Sequence, residues 1–364
     1  MSRERCARRA IVLGLGTLVL LHLQARVAVS QWEPQASGTR ARLRGVSAAS
    51  HEVAWASGTS GTVLRTDDGG KTWRSVKVPA TEQLDFRDVH AVDEKTAFVL
   101  SIGPGARSQI LKTTDGGATW IASHSNRDPD VFLDAIAFWD PSHGIAMGDP
   151  VRGRFDILVT DDGGRSWARP RLEGMPEALP GEGAFAASGT CLATGPRGLA
   201  WFCTGGASKA RVFRSTDRGR TFSASDLPIA AGAASSGAFS VDFRDERHGL
   251  ACGGDYRAEE KGGVVLAITE DGGKTWRLPK GPAPRAFRSA VAYLPGEGPP
   301  AAVAVGPSGV DLSTDGGESW RPLGDLRFHA ASFAAGGVGN ARCTGWGVGE
   351  DGRIARIRIS RQSR

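Results

Sequence analysis

The eight residues from Thr66 to Trp73, T-D-D-G-G-K-T-W, return five more times in altered form: Thr113 to Trp120, Thr160 to Trp167, Ser215 to Phe222, Thr269 to Trp276 and Ser313 to Trp320. The shared pattern is [ST]-x-D-x-G-x-[TS]-[WF], and successive copies begin 47, 47, 55, 54 and 44 residues apart. A period of that size requires an array of small, similar structural units, because no single unit of that length buries its own apolar face.

Apolar, β-type residues precede the copies, as in Val63-Leu64, Ile110-Leu111 and Ile157-Leu158-Val159. The Asp-Gly core therefore sits where a strand ends and must reverse. Glycine supplies the positive φ, and the aspartate accepts hydrogen bonds from the turn's own backbone. The closing Trp or Phe starts the returning strand and packs back over the turn. Asp68, Asp115, Asp162, Asp217, Asp271 and Asp315 are thus expected to be structural. A calcium loop needs alternating oxygen ligands and a closing glutamate, which the copies lack, so no metal site is expected.

These copies resemble Asp-box, or BNR, repeats, which sit at hairpins of β-propellers such as sialidases and the photosystem II stability and assembly factors. The resemblance covers nearly all of the chain after its first 30 residues. It implies an all-β fold, with the strongest signal for architecture and a weaker one for activity.

The chain has 364 residues and 50 glycines, which suits one propeller of short strands and turns. Superposing the units gives seven inner-strand starts after a large apolar residue: Leu43, Phe86, Leu133, Phe185, Phe239, Phe287 and Phe328. Seven apolar second strands follow, among them Val53 to Gly58 and Gly345 to Gly349. The seventh unit has a third strand at Arg353 to Ile357 but no box, whereas Gln31 to Gln35 looks like the segment after a box without its first half. Pairing the two ends would remove the exposed sheet edges. The expectation is a seven-bladed β-propeller of four-stranded antiparallel blades over residues 31–359, closed by an N-terminal strand and followed by a basic tail, 360–364.

Residues 1–30 read as an export signal: Arg3, Arg5, Arg8 and Arg9 precede the uncharged stretch Ala10 to Leu23, and Ala28-Val29-Ser30 offers small residues for cleavage. The apolar stretch is short for a membrane span, so cleavage is favoured over anchoring by an uncleaved leader. A periplasmic, lumenal or extracellular location follows. The formal charge of +6 is concentrated at the ends: residues 1–30 carry five arginines against one glutamate, and Arg353, Arg356, Arg358, Arg361 and Arg364 close the chain. The body between is near −3, which argues against nucleic-acid binding. Cys191 and Cys203 flank the turn Gly195 to Gly198, so they form either a disulfide across a hairpin or a pair of buried thiols.

Strand parity places all boxes on one face of the disc. Inner-strand starts and second-to-third loops share the opposite face, with the irregular segments 148–154, 205–211 and 253–261. Loops on a rigid scaffold are where binding resides. After each large apolar residue the units contribute Arg44, Arg87, Asp134, Ala186, Ser240, Arg288 and His329. This ring predicts an anion or acidic-peptide pocket at the channel mouth lined by Arg44, Arg87, Arg288 and His329, with Asp134, Asp149, Asp255, Ser240 and Tyr256 beside them. The alternative is that these charges pair with one another and hold blades together.

Two functions compete. Three arginines at a propeller mouth resemble the sialidase arrangement for a substrate carboxylate, which implies a glycoside hydrolase. Leu43-Arg44-Gly45-Val46 departs from the sialidase F/Y-R-I-P signature, however, and the chain has only Tyr256 and Tyr293. The better match is to the photosystem II stability and assembly factors, with a W-x-x-Q opening at Trp32 to Gln35 and D-G-G-x-[TS]-W boxes throughout. That resemblance implies a monomeric, non-catalytic platform without cofactor, whose partner is a protein such as a membrane-protein complex or its precursor. No G-x-G-x-x-G motif follows a strand and opens a helix, so a dinucleotide cofactor has no support.

Overall fold

The computed structural model describes residues 27–296, 299–335 and 342–361. Seven antiparallel sheets stand around a central channel. Their inner strands are Leu43–Ala48, Asp85–Ala91, Leu133–Phe138, Leu192–Gly195, Ser236–Phe243, Ala290–Tyr293 and Ala330–Ala335. Each touches the next, and the last touches the first, so the ring closes. Among the described residues five of the sheets contain four or more strands. In the third and fifth blades the outer strand shrinks to a single bridge, Val159 to Ala168 and Ile268 to Arg277. Among the described residues no helix is long and apolar enough to cross a membrane.

Second strands such as Ala54–Gly58, Leu199–Cys203 and Ala302–Gly306 are buried at every position. Each is covered on both faces by neighbouring blades, which is why they read as unbroken apolar runs. Trp55, Trp201 and Trp346 on these strands are fully buried.

The ring closes with the N-terminus. Glu33–Gln35 pairs with Ile354 to Arg356, and Val27–Val29 pairs with Ile359 to Arg361, on the outer edge of the last blade. Trp32 packs on Phe328 at 4.7 Å, and the Trp73 indole donates to Gln35 Oε1 at 2.9 Å, joining first blade to last. Strand pairing at the closure begins at Val27, before Gln31, and extends to Arg361. The leader expectation falls largely on residues 1–26, outside the described residues.

All six motifs share one hydrogen-bond pattern. In the first, Asp68 Oδ1 accepts from the Thr66 hydroxyl and the Thr72 amide, Oδ2 accepts from the Thr72 hydroxyl, and the Gly70 amide donates to Thr66 Oγ1. Asp115, Asp162, Asp217, Asp271 and Asp315 repeat it. The hydroxyl of Thr72 or Thr119 holds the Asp68 and Asp115 carboxyls down to about 2. In five motifs a glycine amide also donates to the first hairpin of its own blade, as Gly69 does to the Glu52 carbonyl at 2.9 Å. Both turns are thereby on the same face, as strand parity requires. The second glycine lies against the preceding blade: a Cβ on Gly117 would meet Val76 at 2.5 Å, and one on Gly164 would meet Phe98 at 2.6 Å. Glycine is needed there for φ and for this approach.

One expectation is corrected, and one open alternative is decided. Phe185 does not open an inner strand, because the fourth blade's strand begins at Leu192. Residues 185–190 instead cross the channel. Arg87 donates to the Ala186 carbonyl at 3.0 Å, Ser188 donates to the Ser289 carbonyl at 3.1 Å, and the Val241 amide donates to the Thr190 carbonyl at 2.9 Å. Contact with the second, fifth and sixth blades at once is available only near the axis, so the segment is a plug. Cys191 and Cys203 are not disulfide-bonded; both are free, buried thiols. The Cys203 amide donates to the Cys191 carbonyl at 2.9 Å, which makes them a hydrogen-bonded pair of the ladder, the arrangement with the more widely spaced side chains.

Candidate functional site

The plug divides the channel. On the face opposite the motifs it leaves a cavity of about 550 Å³, whose floor is Ala184 to Ala187. Of the residues expected at the channel mouth, Arg44, Arg87, Asp134, Asp149, Tyr256 and His329 line it. What aims four of its side chains inward is a repeated β-bulge. The register between inner and second strands slips between Leu43 and Gly45, Phe86 and Asp88, Leu133 and Ala135, and Ala238 and Ser240. Arg44, Arg87, Asp134 and Phe239 are the extra residues, and an extra residue re-aims its side chain.

One wall is cationic. Arg44 Nη1 lies 3.4 Å from His329 Nδ1, and His329 Nε2 lies 2.8 Å from Glu350 Oε1. An arginine only donates, so Nδ1 accepts and Nε2–H donates to Glu350. His329 is therefore neutral, in line with burial and the nearby Arg44 pulling its pKa down to about 4. Glu350 also accepts from Arg42 Nε at 2.9 Å, and Arg87 is paired with Asp85 at 2.8 Å. Arg44 has no carboxylate in salt-bridge contact among the described residues, and its Nε is buried without a hydrogen-bond partner. Burial, then Arg87 and Arg42, bring its pKa down to about 10.

The second wall is aromatic. Phe185 and Phe239 stack at 3.8 Å with 3° between planes, Phe287 meets Phe239 edge-on at 4.8 Å, and Tyr256, 42% exposed, stands across the pair at 6.1–6.3 Å. The third wall holds Asp134 and Asp149. Burial raises both carboxyls, and the nearby Asp149 adds to the effect at Asp134. Glu259 completes the rim, raised by burial against the pull of Arg327 and Arg44.

Three predicted residues are elsewhere. Arg288 is buried and spent on Asp311, with Nε to Oδ2 at 2.8 Å and Nη2 to Oδ2 at 2.5 Å, so the three arginines do not converge as a sialidase-like triad would. Ser240 is fully buried and accepts from the Val291 amide at 3.0 Å, a latch between the fifth and sixth blades. The bulge explains that miss: the blade's equivalent of Arg44 is Phe239, and Ser240 corresponds to Asp88, which accepts from the Ile136 amide in the same way. Asp255 caps its own loop by accepting from the Arg257 amide at 2.9 Å. Sequence reasoning missed the aromatic wall. Phe185 and Phe239 read as core anchors, and only the long linkers before them marked those two blades as different.

No family model and no curated protein matches this sequence. Solved structures do match. A structure of YCF48 bound to D1 peptide aligns with a TM-score of 0.61 at 17% identity, over 90% of this chain and 96% of that one. YCF48 from Cyanidioschyzon merolae gives 0.59 at 18%, over 90% and 98%. The WD40 β-propeller domain of Doa1 gives 0.57 at 11%, over 90% and 96%. The chain is thus a seven-bladed β-propeller similar in fold to YCF48.

Proposed function

We propose that the chain is an exported, non-catalytic β-propeller that acts as a protein-binding platform, holding an extended segment of a membrane or exported protein during assembly. The observation that carries the reading is Arg44: a half-buried arginine that has no carboxylate partner among the described residues and whose Nε is buried without a hydrogen bond, facing an open cavity with an aromatic wall. A peptide carboxylate would complete Arg44, and an aromatic or aliphatic side chain would stack on Phe185 and Phe239. The fold it shares with YCF48, solved with a D1 peptide, supports a peptide as the occupant.

The test is affinity capture from the exported fraction with the intact protein and with Arg44→Ala/Arg87→Ala. The expected result is a defined partner held by the intact protein and released by the folded double variant. Capture of the same partner by both would remove the cavity from the reading.

A further inference from the structure

The cationic and aromatic walls leave the third wall unexplained. Asp134 and Asp149 belong to adjacent strands of the third blade, Leu133–Phe138 and Gly144–Val151. Each is the extra residue of its own bulge, since register also slips between Gly148 and Pro150. Two separate irregularities therefore bring two carboxyls to the same cavity. Asp149 Oδ1 accepts from the Ala184 amide at 2.9 Å. Asp134 is 1% exposed, lines the cavity, and its Oδ2 has no hydrogen-bond partner.

A buried carboxyl oxygen without a donor is costly and calls for one. The nearby arginines do not supply it: Arg87 donates to Asp85 and Ala186, Arg44 donates to Ala187 and His329, and the unpartnered Nε of Arg44 makes no hydrogen bond to Asp134. The missing donor is then a ligand's. Once ionised the pair repels a carboxylate, and among the described residues no group of three or more His, Cys, Asp or Glu could hold a metal ion. A primary ammonium brings three donors in a compact head, enough for carboxyl oxygens arriving from two strands, and the rings of Phe132 and Phe185 line the same cavity.

From this we infer that Asp134 and Asp149 form an ammonium subsite, so that the cavity reads a segment carrying a positive group at the third blade and a negative group at Arg44. The inference rests on the cavity being the binding site. The ammonium comes either from a lysine side chain or from the free amino end of a chain.

Calorimetric titration of the intact protein with small probes separates these sources. Nα-acetyl-lysine amide offers only the side-chain ammonium, phenylalanine amide only the α-ammonium, and Nα-acetyl-norleucine amide neither. At least one amine probe is expected to bind about tenfold more tightly than the norleucine probe, and to lose that advantage in Asp134→Asn and Asp149→Asn, both checked for native circular dichroism. Equal binding of amine probes to wild type and both variants, binding to none, or preference for Nα-acetyl-arginine amide would each overturn the ammonium subsite. Those outcomes leave partner capture, which depends on Arg44 and Arg87, as a separate measurement of the platform reading.

Discussion

Arg288 and Asp311 form a buried ion pair within the sixth blade, with Arg288 Nε 2.8 Å from Asp311 Oδ2. Both side chains are less than a tenth exposed, and Arg288 also donates to Ser308 Oγ at 2.7 Å. The pair is architecture rather than recognition. Arg288→Ala should destabilise the propeller by about 3–5 kcal/mol in urea unfolding, because it strands a buried carboxylate. Replacing both partners, Arg288→Met with Asp311→Leu, should recover most of that loss. A folded Arg288→Ala protein of unchanged stability that no longer captures a partner would return Arg288 to the site.

The plug depends on Gly189. Its φ is +72°, and a Cβ there would meet Asp88 Oδ1 at 2.1 Å. Gly189→Ala should cost about 1–3 kcal/mol. Proteolysis should become faster around residues 185–190, which would show that the segment is held by this contact.

Asp88 gives a pH signature of definite sign. Burial raises its carboxyl from 3.8 to about 8, against hydrogen bonds from the Ile136 and Val89 amides. The folded state thus keeps a proton that the unfolded chain loses. The associated stability is present below about pH 4 and falls as pH rises toward 8. Asp134, Asp149 and Asp242 slope the same way, so the difference between wild type and Asp88→Asn isolates this group. Asp88→Asn should unfold at higher denaturant than wild type at pH 8 and show a flatter profile between pH 4 and 8. Parallel profiles would contradict a protonated Asp88.

The motif aspartates act in a lower window and with the opposite sign. Asp68 and Asp115 are held near 2, so the stability they give is present above their unfolded value of 3.8 and is lost as pH falls toward 2. Asp68→Ala and Asp115→Ala should each lower the melting temperature at pH 7 and weaken its acid dependence. A chelator should leave the wild-type melting temperature unchanged; a drop would reveal a cation in the turns.

Ring closure can be cut one strand at a time. A chain beginning at Gln31 loses Val27–Val29 but keeps Glu33–Gln35 and Trp32. It should melt close to the longer form. A chain beginning at Ser37 loses Trp32, whose burial against Phe328 is worth about 3 kcal/mol, and exposes the edge of Ile354–Arg361. Dimerisation or aggregation of the second form alone is the expected result in size-exclusion chromatography.

By itself the sequence determined the repeat, and with it the propeller. Six copies of a turn whose hydrogen bonds are closed within eight residues specify the same hairpin wherever they occur, and the unmatched ends at Gln31 to Gln35 and Arg353 to Ile357 specify how the ring closes. Strand parity follows from the same local periodicity, so the faces were legible too. Only tertiary structure decided which ring residues face the cavity. A bulge moves the register by one and exchanges cavity and core positions, which separates Phe239 from Ser240 and Arg44 from Gly45. Arg288 looked equivalent to Arg87 until Asp311 of its own blade was found beside it, and Phe185 looked like a strand start until four blades converged on the segment behind it. Local hydrogen bonds fix turns from sequence, whereas contacts across the channel exist only once the ring has closed.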